Sequence, residues 1–169
     1  MKYSLSILFI VSSVLQGCST AGSGRSEQDQ PMELGWVQRS ALLTPQYQPF
    51  VSRFDTVKTA SEFIGLLRAV QPGTEVLVFF GTWCGDSKRE VPHFLKIADE
   101  AGIDSARIKL YGLDRSKKSQ DGVSAGYGIE RVPTFIFLRD GKEVGRITEK
   151  PQGSLESDML TILAQPPAR

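Results

Sequence analysis

The sequence has very few cysteine and histidine side chains. Of its 169 residues two are cysteine and one is histidine, which argues against a site built from several Cys and His ligands. The formal net charge is +1, so no strong field indicates a nucleic-acid partner. The apolar run near the start has 11 residues, whereas a membrane-spanning helix needs about 20.

The first residues have the pattern of an export signal. Met1-Lys2 is a short basic start, and the apolar run over residues 5–15 (LSILFIVSSVL) suits a signal-peptide core. The segment Leu15-Gln16-Gly17-Cys18 resembles the lipobox of bacterial lipoproteins, where cleavage before the cysteine leaves its thiol to carry a diacylglyceryl group. We predict a signal peptide over residues 1–17 and lipidation of Cys18; the alternative is an ordinary secretory signal with an incidental cysteine.

Residues 18–30 have the composition of a tether. They are polar, rich in Gly and Ser and without apolar periodicity, and a flexible coil of this length spans about 20 Å. We therefore expect an exported domain held near a bilayer by the lipid on Cys18, on the periplasmic face of a bacterial envelope. In the resembled lipoproteins, Ser19 after the acylated cysteine implies the outer membrane. Export also places the remaining thiol, Cys84, where disulfides persist.

Residues 31–57 are hard to assign from the sequence. They contain many apolar side chains, but the spacing fits neither the helical nor the strand period, and Pro45 and Pro49 interrupt it. We predict a packed N-terminal extension over this range, followed by one folded domain over residues 58–165.

Within that domain the periodic segments predict the order α, β, α, β, (α), β, β, α. Thr59 and Glu62 have capping-box spacing at the start of the first helix. The apolar run Glu75–Phe80 predicts a strand buried on both faces. The Asp-Gly pair within residues 139–142 indicates a tight hairpin turn. A further helix over residues 154–163 closes the domain.

Three separated motifs carry a resemblance to the thioredoxin family. Trp83-Cys84-Gly85 follows the buried strand and opens a helix, Pro92 lies within that helix, and residues 127–134 (YGIERVPT) precede the hairpin. The resemblance covers about residues 59–164. It implies an α/β thioredoxin fold, with three α/β/α layers and a mixed central sheet that ends in a C-terminal hairpin and helix.

The resemblance also implies a set of site residues. Cys84 takes the place of the nucleophile, and Pro133 that of a cis-proline. Val132 supplies the backbone groups that receive a substrate, and Trp83 the adjacent apolar surface. Ser87 stands where many relatives have a second, resolving cysteine.

A second departure concerns proton transfer. Val78 occupies the strand position where thioredoxins often carry a buried acid. With neither that acid nor a resolving thiol, a dithiol cycle is not available from the chain's own residues.

One thiol at a helix start can still take part in thiol-disulfide exchange. Unpaired amides at the helix start stabilise a thiolate, and Cys84 can then attack a substrate disulfide. A second cysteine of the substrate or a small thiol must resolve the mixed disulfide, which gives isomerisation or monothiol reduction. The competing hypothesis is a non-catalytic binding module on the same scaffold.

The expected partners are thiol- or disulfide-bearing proteins or small thiols, and the membrane through the lipid on Cys18. We expect no nucleic acid, no cofactor, no metal and a monomer. His93 lies nine residues after Cys84, about half a turn away on the same helix, and is predicted to be a surface residue.

Overall fold

The computed structural model describes residues 31–165, so the predicted signal peptide, Cys18 and the tether lie outside the described residues. The strands are β1 (Gly35–Val37), β2 (Thr74–Phe80), β3 (Ile108–Gly112), β4 (Thr134–Arg139) and β5 (Lys142–Thr148). The helices are α1 (Arg39–Leu42), α2 (Gln48–Thr56), α3 (Ser61–Val70), α4 (Gly85–Ala101), α5 (Val123–Gly126) and α6 (Leu155–Leu163). Two short 3₁₀ turns cover Pro45–Tyr47 and Ser105–Arg107.

A five-stranded sheet has the order β1-β3-β2-β4-β5. Strands β2 and β3 are parallel, while β1 with β3, β2 with β4 and β4 with β5 are antiparallel. The predicted α/β class, mixed central sheet, C-terminal hairpin and closing helix are therefore confirmed. Strand β2 lies at the centre, and six of its seven residues are buried, in agreement with its nearly continuous apolar sequence.

The hairpin between β4 and β5 forms at the predicted Asp-Gly pair. Asp140 has φ 51° and Gly141 has φ 74°, and positive values at both central residues are the requirement of a type I′ turn. Such a turn matches the twist of the two strands, so this short sequence signal places the last two strands correctly.

The helices cover the two faces of the sheet unequally. One face packs against α2, α3, α4 and α6 in a large apolar core that includes Phe80, Phe94 and Phe135. The other face carries a smaller cluster that includes Phe79, Tyr111 and Ile136. On that side the described helices offer only the four residues of α5, so much of the cover comes from loops.

The N-terminal extension is part of the same core. Leu42, Tyr47 and Phe50 are at most 2% exposed and belong to the large cluster. Strand β1 pairs with β3 along Gly35–Val37. Residues 31–57 therefore extend the sheet and complete one of its faces.

The predicted cap of the first helix is wrong. Helix α3 has Ala60 at its N-cap and no side-chain hydrogen bond there. The hydroxyl of Thr59 instead donates to Glu100 on α4, and the Ala60 N–H donates to Glu156 on α6 at 3.1 Å. The local spacing was suitable, but Glu100 on another helix binds the Thr59 hydroxyl that a capping box would have used.

His93 is also placed differently from the prediction. Its side chain is 13% exposed, and its Nε2 lies 3.0 Å from Glu156 Oε1. Its Nδ1 lies 3.9 Å from Glu90 Oε2, so the ring is held between two buried carboxyl groups. The helical spacing placed His93 about half a turn from Cys84, but α6 covers that side of α4 and supplies the partner of His93.

Glu156 joins three helices through these contacts. It is 2% exposed, and burial alone acts to raise its pKa. The hydrogen bonds from His93 and from the Ala60 N–H outweigh burial and lower the pKa of Glu156 to about 2. A carboxyl group whose pKa is lowered by folding stabilises the fold above its unfolded pKa, and this contribution is lost as the pH falls towards its folded pKa.

We expect Glu156→Gln to flatten the acid side of the stability profile. Between about pH 5 and pH 2 the wild type should lose on the order of 3 kcal/mol of unfolding free energy through this group, and the variant should lack that loss. Urea unfolding followed by circular dichroism at several pH values measures the difference. Glu143→Gln, in a partly exposed ion pair with Arg146 on β5, should keep the wild-type profile; equal acid slopes for Glu156→Gln and wild type would contradict the assignment.

Candidate functional site

Cys84 lies between the central strand β2 and α4, the longest of the described helices. It is the N-cap residue of α4, with extended backbone angles, and its side chain is half-buried. The thiol Sγ lies 3.3 Å from the carbonyl oxygen of Val132, to which it donates. The structure thus brings the expected nucleophile against the expected substrate-binding loop, although they are 48 residues apart in sequence.

The Val132–Pro133 peptide bond is cis, and two hydrogen bonds hold this loop. The Thr134 hydroxyl donates to the Arg131 carbonyl at 2.7 Å, and the Glu149 N–H donates to the Pro133 carbonyl at 2.7 Å. Thr134 is 2% exposed. The sequence reasoning missed Thr134 as a positioning residue, and its place directly after the Val-Pro pair was the available signal.

Ser87 lies three residues after the thiol, but its side chain is fully buried. Its hydroxyl oxygen accepts a hydrogen bond from the Gly81 N–H at 3.2 Å. Ser87 therefore ties the first turn of α4 to the loop that leads into Cys84. Its position follows from helical spacing, whereas its partner could not be read from the sequence.

Trp83 is fixed from three directions. Its indole N–H donates to the Leu113 carbonyl at 2.9 Å, and the guanidinium of Arg115 lies 5.1 Å from a ring centroid, within the range of a cation–π contact. A Cβ on Gly81 would lie 2.6 Å from the indole, so the ring occupies space that only glycine leaves free. Sequence reasoning missed Gly81, Leu113 and Arg115.

Charges near the thiol are largely paired with one another. Arg89 contacts Asp86 and Glu90, each at 2.6 Å, and the hydrogen bonds to Glu90 and then Asp86 raise the pKa of Arg89. Lys150 lies 4.0 Å from Asp86. Because Asp86 follows the thiol closely, this pairing offsets the repulsion it would exert on a thiolate.

Val78 is fully buried in the apolar core. A valine there offers no group that could hold or pass a proton to the site. Within residues 31–165, no group of three or more His, Cys, Asp or Glu side chains is placed to hold a metal ion. None of the helices in this part of the chain is long and apolar enough to cross a membrane.

Comparison with known proteins gives one consistent family. The family model described as Thioredoxin matches residues 56–161. The TPR repeat-containing thioredoxin TDX of Arabidopsis thaliana is 31% identical over 103 residues, which are 60% of this chain and 26% of that protein. The Thioredoxin of Malassezia sympodialis is 30% identical over 92 residues, which are 53% of this chain and 84% of that protein.

A solved structure extends the likeness in fold. A protein of unknown function from Pseudomonas aeruginosa superposes with a TM-score of 0.54 at 18% identity, over 76% of this chain and 90% of that one. This likeness concerns the architecture alone.

We expect Gly81→Ala to displace the Trp83 ring, because the new methyl group would overlap the indole. The displacement should break the bond to Leu113 and cost about 1–3 kcal/mol of stability, visible as a shifted indole N–H resonance and a lower unfolding midpoint. Gly65→Ala on α3, where a new Cβ meets nothing within 4 Å, should leave that resonance unchanged. An unmoved indole signal in Gly81→Ala would count against the packing described.

Proposed function

We propose, because the chain belongs to the thioredoxin family, that it takes part in thiol-disulfide exchange through the single thiol of Cys84. The observation that carries the proposal is the half-buried thiol at the start of α4, 3.3 Å from the carbonyl of Val132 beside the cis-proline. A substrate disulfide that reaches the thiol meets the nucleophile directly beside the Val132–Pro133 loop.

The reaction needs two thiols, and the described site supplies one. The Cys84 thiolate attacks one sulfur of a substrate disulfide; the S–S bond breaks, a mixed disulfide forms and the second sulfur leaves as a thiolate. Ser87 cannot release the substrate from the mixed disulfide, because exchange requires a thiolate as the attacking group and Ser87 has a hydroxyl. An external thiol therefore attacks the mixed disulfide and returns Cys84 to the thiol form.

Two sources of the external thiol define two activities. A second cysteine of the same substrate gives isomerisation of its disulfides, and a small thiol gives monothiol reduction. Both fit a chain whose Ser87 contributes structure to the loop without contributing a sulfur.

A non-catalytic binding module is the second candidate. Two observations favour it: Val78 places no proton carrier behind the thiol, and the Ser87 hydroxyl is already engaged with Gly81. In this case the Val132–Pro133 loop would hold a partner segment without turnover. The candidates differ in whether a mixed disulfide on Cys84 forms and is released.

We further propose that the protein is exported and anchored by a lipid on Cys18, with its domain on the periplasmic face and the outer membrane favoured. The supporting pattern is the apolar run followed by Leu15-Gln16-Gly17-Cys18 and a polar segment. If Cys18 is acylated, Cys84 is the only free thiol of the mature chain.

The first prediction for this function compares residues 19–169 of the wild type with a Ser87→Cys variant. Incubated with a peptide that carries one disulfide, the wild type should accumulate a mixed disulfide that persists until an added thiol releases it. The variant should release the peptide by itself, because cysteines three apart at a helix start can close a disulfide. Intact-mass spectrometry under acid quench follows both species, and Cys84→Ser should form neither. A wild type that forms no adduct would favour the binding module.

The second prediction concerns the anchor. Cys18→Ala should move the protein from the membrane fraction to the soluble periplasmic fraction, because a single acylated cysteine is the proposed attachment. Mass spectrometry of the N-terminal peptide should show the diacylglyceryl group on Cys18 in the wild type. An unmodified Cys18 in a cleaved, exported chain would support the ordinary secretory signal.

A further inference from the structure

The described chain begins beside the reactive thiol. The carbonyl of Pro31 accepts hydrogen bonds from the hydroxyls of Tyr47 at 3.1 Å and Thr82 at 3.5 Å. Thr82 is two residues from Cys84, and Cα atoms two residues apart are separated by at most about 7.6 Å. Pro31, the first residue that the structure describes, therefore lies at the end of the sheet that carries the thiol.

Several contacts hold the start of the described chain. The Tyr47 hydroxyl oxygen also lies 2.7 Å from Glu33 Oε1, so its single hydrogen is donated to only one of the two oxygens, of Pro31 or of Glu33, at a time. A Cβ on Gly112 would lie 2.2 Å from the Glu33 carbonyl oxygen, so the chain passes over β3 at a distance that only glycine permits. These contacts fix the position of Pro31 and Glu33 on the domain.

Exposed apolar side chains follow Pro31 directly. Met32, Leu34 and Trp36 are 43%, 59% and 55% exposed, and together they are called the apolar stripe. Among residues 31–165 only Leu66 and Tyr127 are other large apolar side chains with comparable exposure. The Trp36 ring stands edge-on to Tyr111, with centroids 4.9 Å apart, so it is held in place and still presents half of its surface.

A basic segment follows β3, and one of its side chains, Lys118, lies beside the stripe. Arg115, Lys117 and Lys118 follow β3, and with Asp114 the segment 114–118 has a net charge of +2, from three basic and one acidic residue. Lys118 and Leu34 line the same cavity of about 350 Å³. Asp114 and Asp121 line it too, but they accept hydrogen bonds from Ser116 and Tyr111.

We propose that the apolar stripe and the basic segment 114–118 contact the interfacial region of an anionic bilayer and hold the Cys84 cleft against it. The inference rests on the proposed function, and it names the client class: disulfides carried at the membrane surface. Trp and Leu enter the interface with their apolar surfaces, Trp is enriched there, and each basic residue near an anionic leaflet adds attraction.

The length of the tether favours a membrane over a protein as the occupant of the stripe. The 12 residues between Cys18 and Pro31 span about 20 Å as a coil and at most about 45 Å when extended. With Cys18 in the bilayer, the stripe cannot move farther from the headgroups than this. Such confinement raises the effective concentration of lipid above that of a diffusing protein partner.

The test attaches residues 19–169 through an N-terminal hexahistidine tag to vesicles that contain a nickel-chelating lipid and about one third phosphatidylglycerol. This attachment reproduces the tether whether or not cells acylate Cys18. Vesicles with brominated acyl chains quench tryptophan that reaches the interface. The variants are Trp36→Phe, Leu34→Ser and, as a matched control, Leu66→Ser on α3.

Brominated lipid should quench wild-type fluorescence, and the quenching should fall to the level set by Trp83 in Trp36→Phe. Leu34→Ser should weaken partitioning of the untagged chain onto the same vesicles about fivefold to tenfold, and Leu66→Ser should leave it unchanged. Cys84→Ser should be quenched like the wild type, so this result is separate from the thiol chemistry. Two results would overturn the proposal and leave a protein client as the occupant of the stripe. One is equal quenching in Trp36→Phe and wild type; the other is an equal loss of vesicle partitioning in Leu34→Ser and Leu66→Ser.

The client class has its own readout. A pyridyl disulfide on a lipid headgroup should react with Cys84 at least about tenfold faster than the same disulfide in solution at equal bulk concentration, with release of pyridinethione as the S–S bond breaks. Leu34→Ser should reduce this ratio, and Leu66→Ser should not. A ratio that stays the same in Leu34→Ser would show that the tag alone brings the reagents together, and would also overturn the proposal.

Discussion

The pairing of β2 on both of its edges is the constraint on which the site depends. Strand β3 runs parallel to β2, and β4 runs antiparallel, so the carboxyl ends of β2 and β3 and the start of β4 meet at one edge of the sheet. The Leu113 N–H donates to the Phe80 carbonyl at 2.8 Å and continues this alignment beyond the strands. Three loops that are distant in sequence therefore bring Trp83, Leu113 and Val132 together around one thiol.

Ser87, at the position where many thioredoxins have a resolving cysteine, has a structural role in this alignment. The position is fully buried and its side chain accepts a hydrogen bond from the Gly81 N–H. A hydroxyl oxygen is a stronger acceptor than a thiol sulfur, so serine supports the loop before the nucleophile better than cysteine would. In the described residues the position of Cys84 fits the first half of the proposed exchange reaction, and Ser87 supplies no sulfur for the second half.

Sequence patterns predicted the features whose cause is local. The Asp-Gly turn, the doubly buried β2 and the helix start at Cys84 each follow from a few neighbouring residues. The capping box at Thr59 was wrong and His93 was misplaced, because their partners, Glu100 and Glu156, come from other helices 41 and 63 residues away. Pro31 and Thr82 are 51 residues apart in sequence, so hydrophobic periodicity could not predict the contact between them.

The position of the domain matters more for this chain than for a protein with two thiols. A dithiol protein can release its own mixed disulfide wherever it meets a substrate. In the proposed exchange, a mixed disulfide on Cys84 persists until a second thiol attacks it. The fold places Pro31 beside the site and leaves Leu34 and Trp36 exposed near it. If a lipid holds the chain before Pro31 at a membrane, the contacts that fix Pro31 also decide which disulfides, and which resolving thiols, reach Cys84.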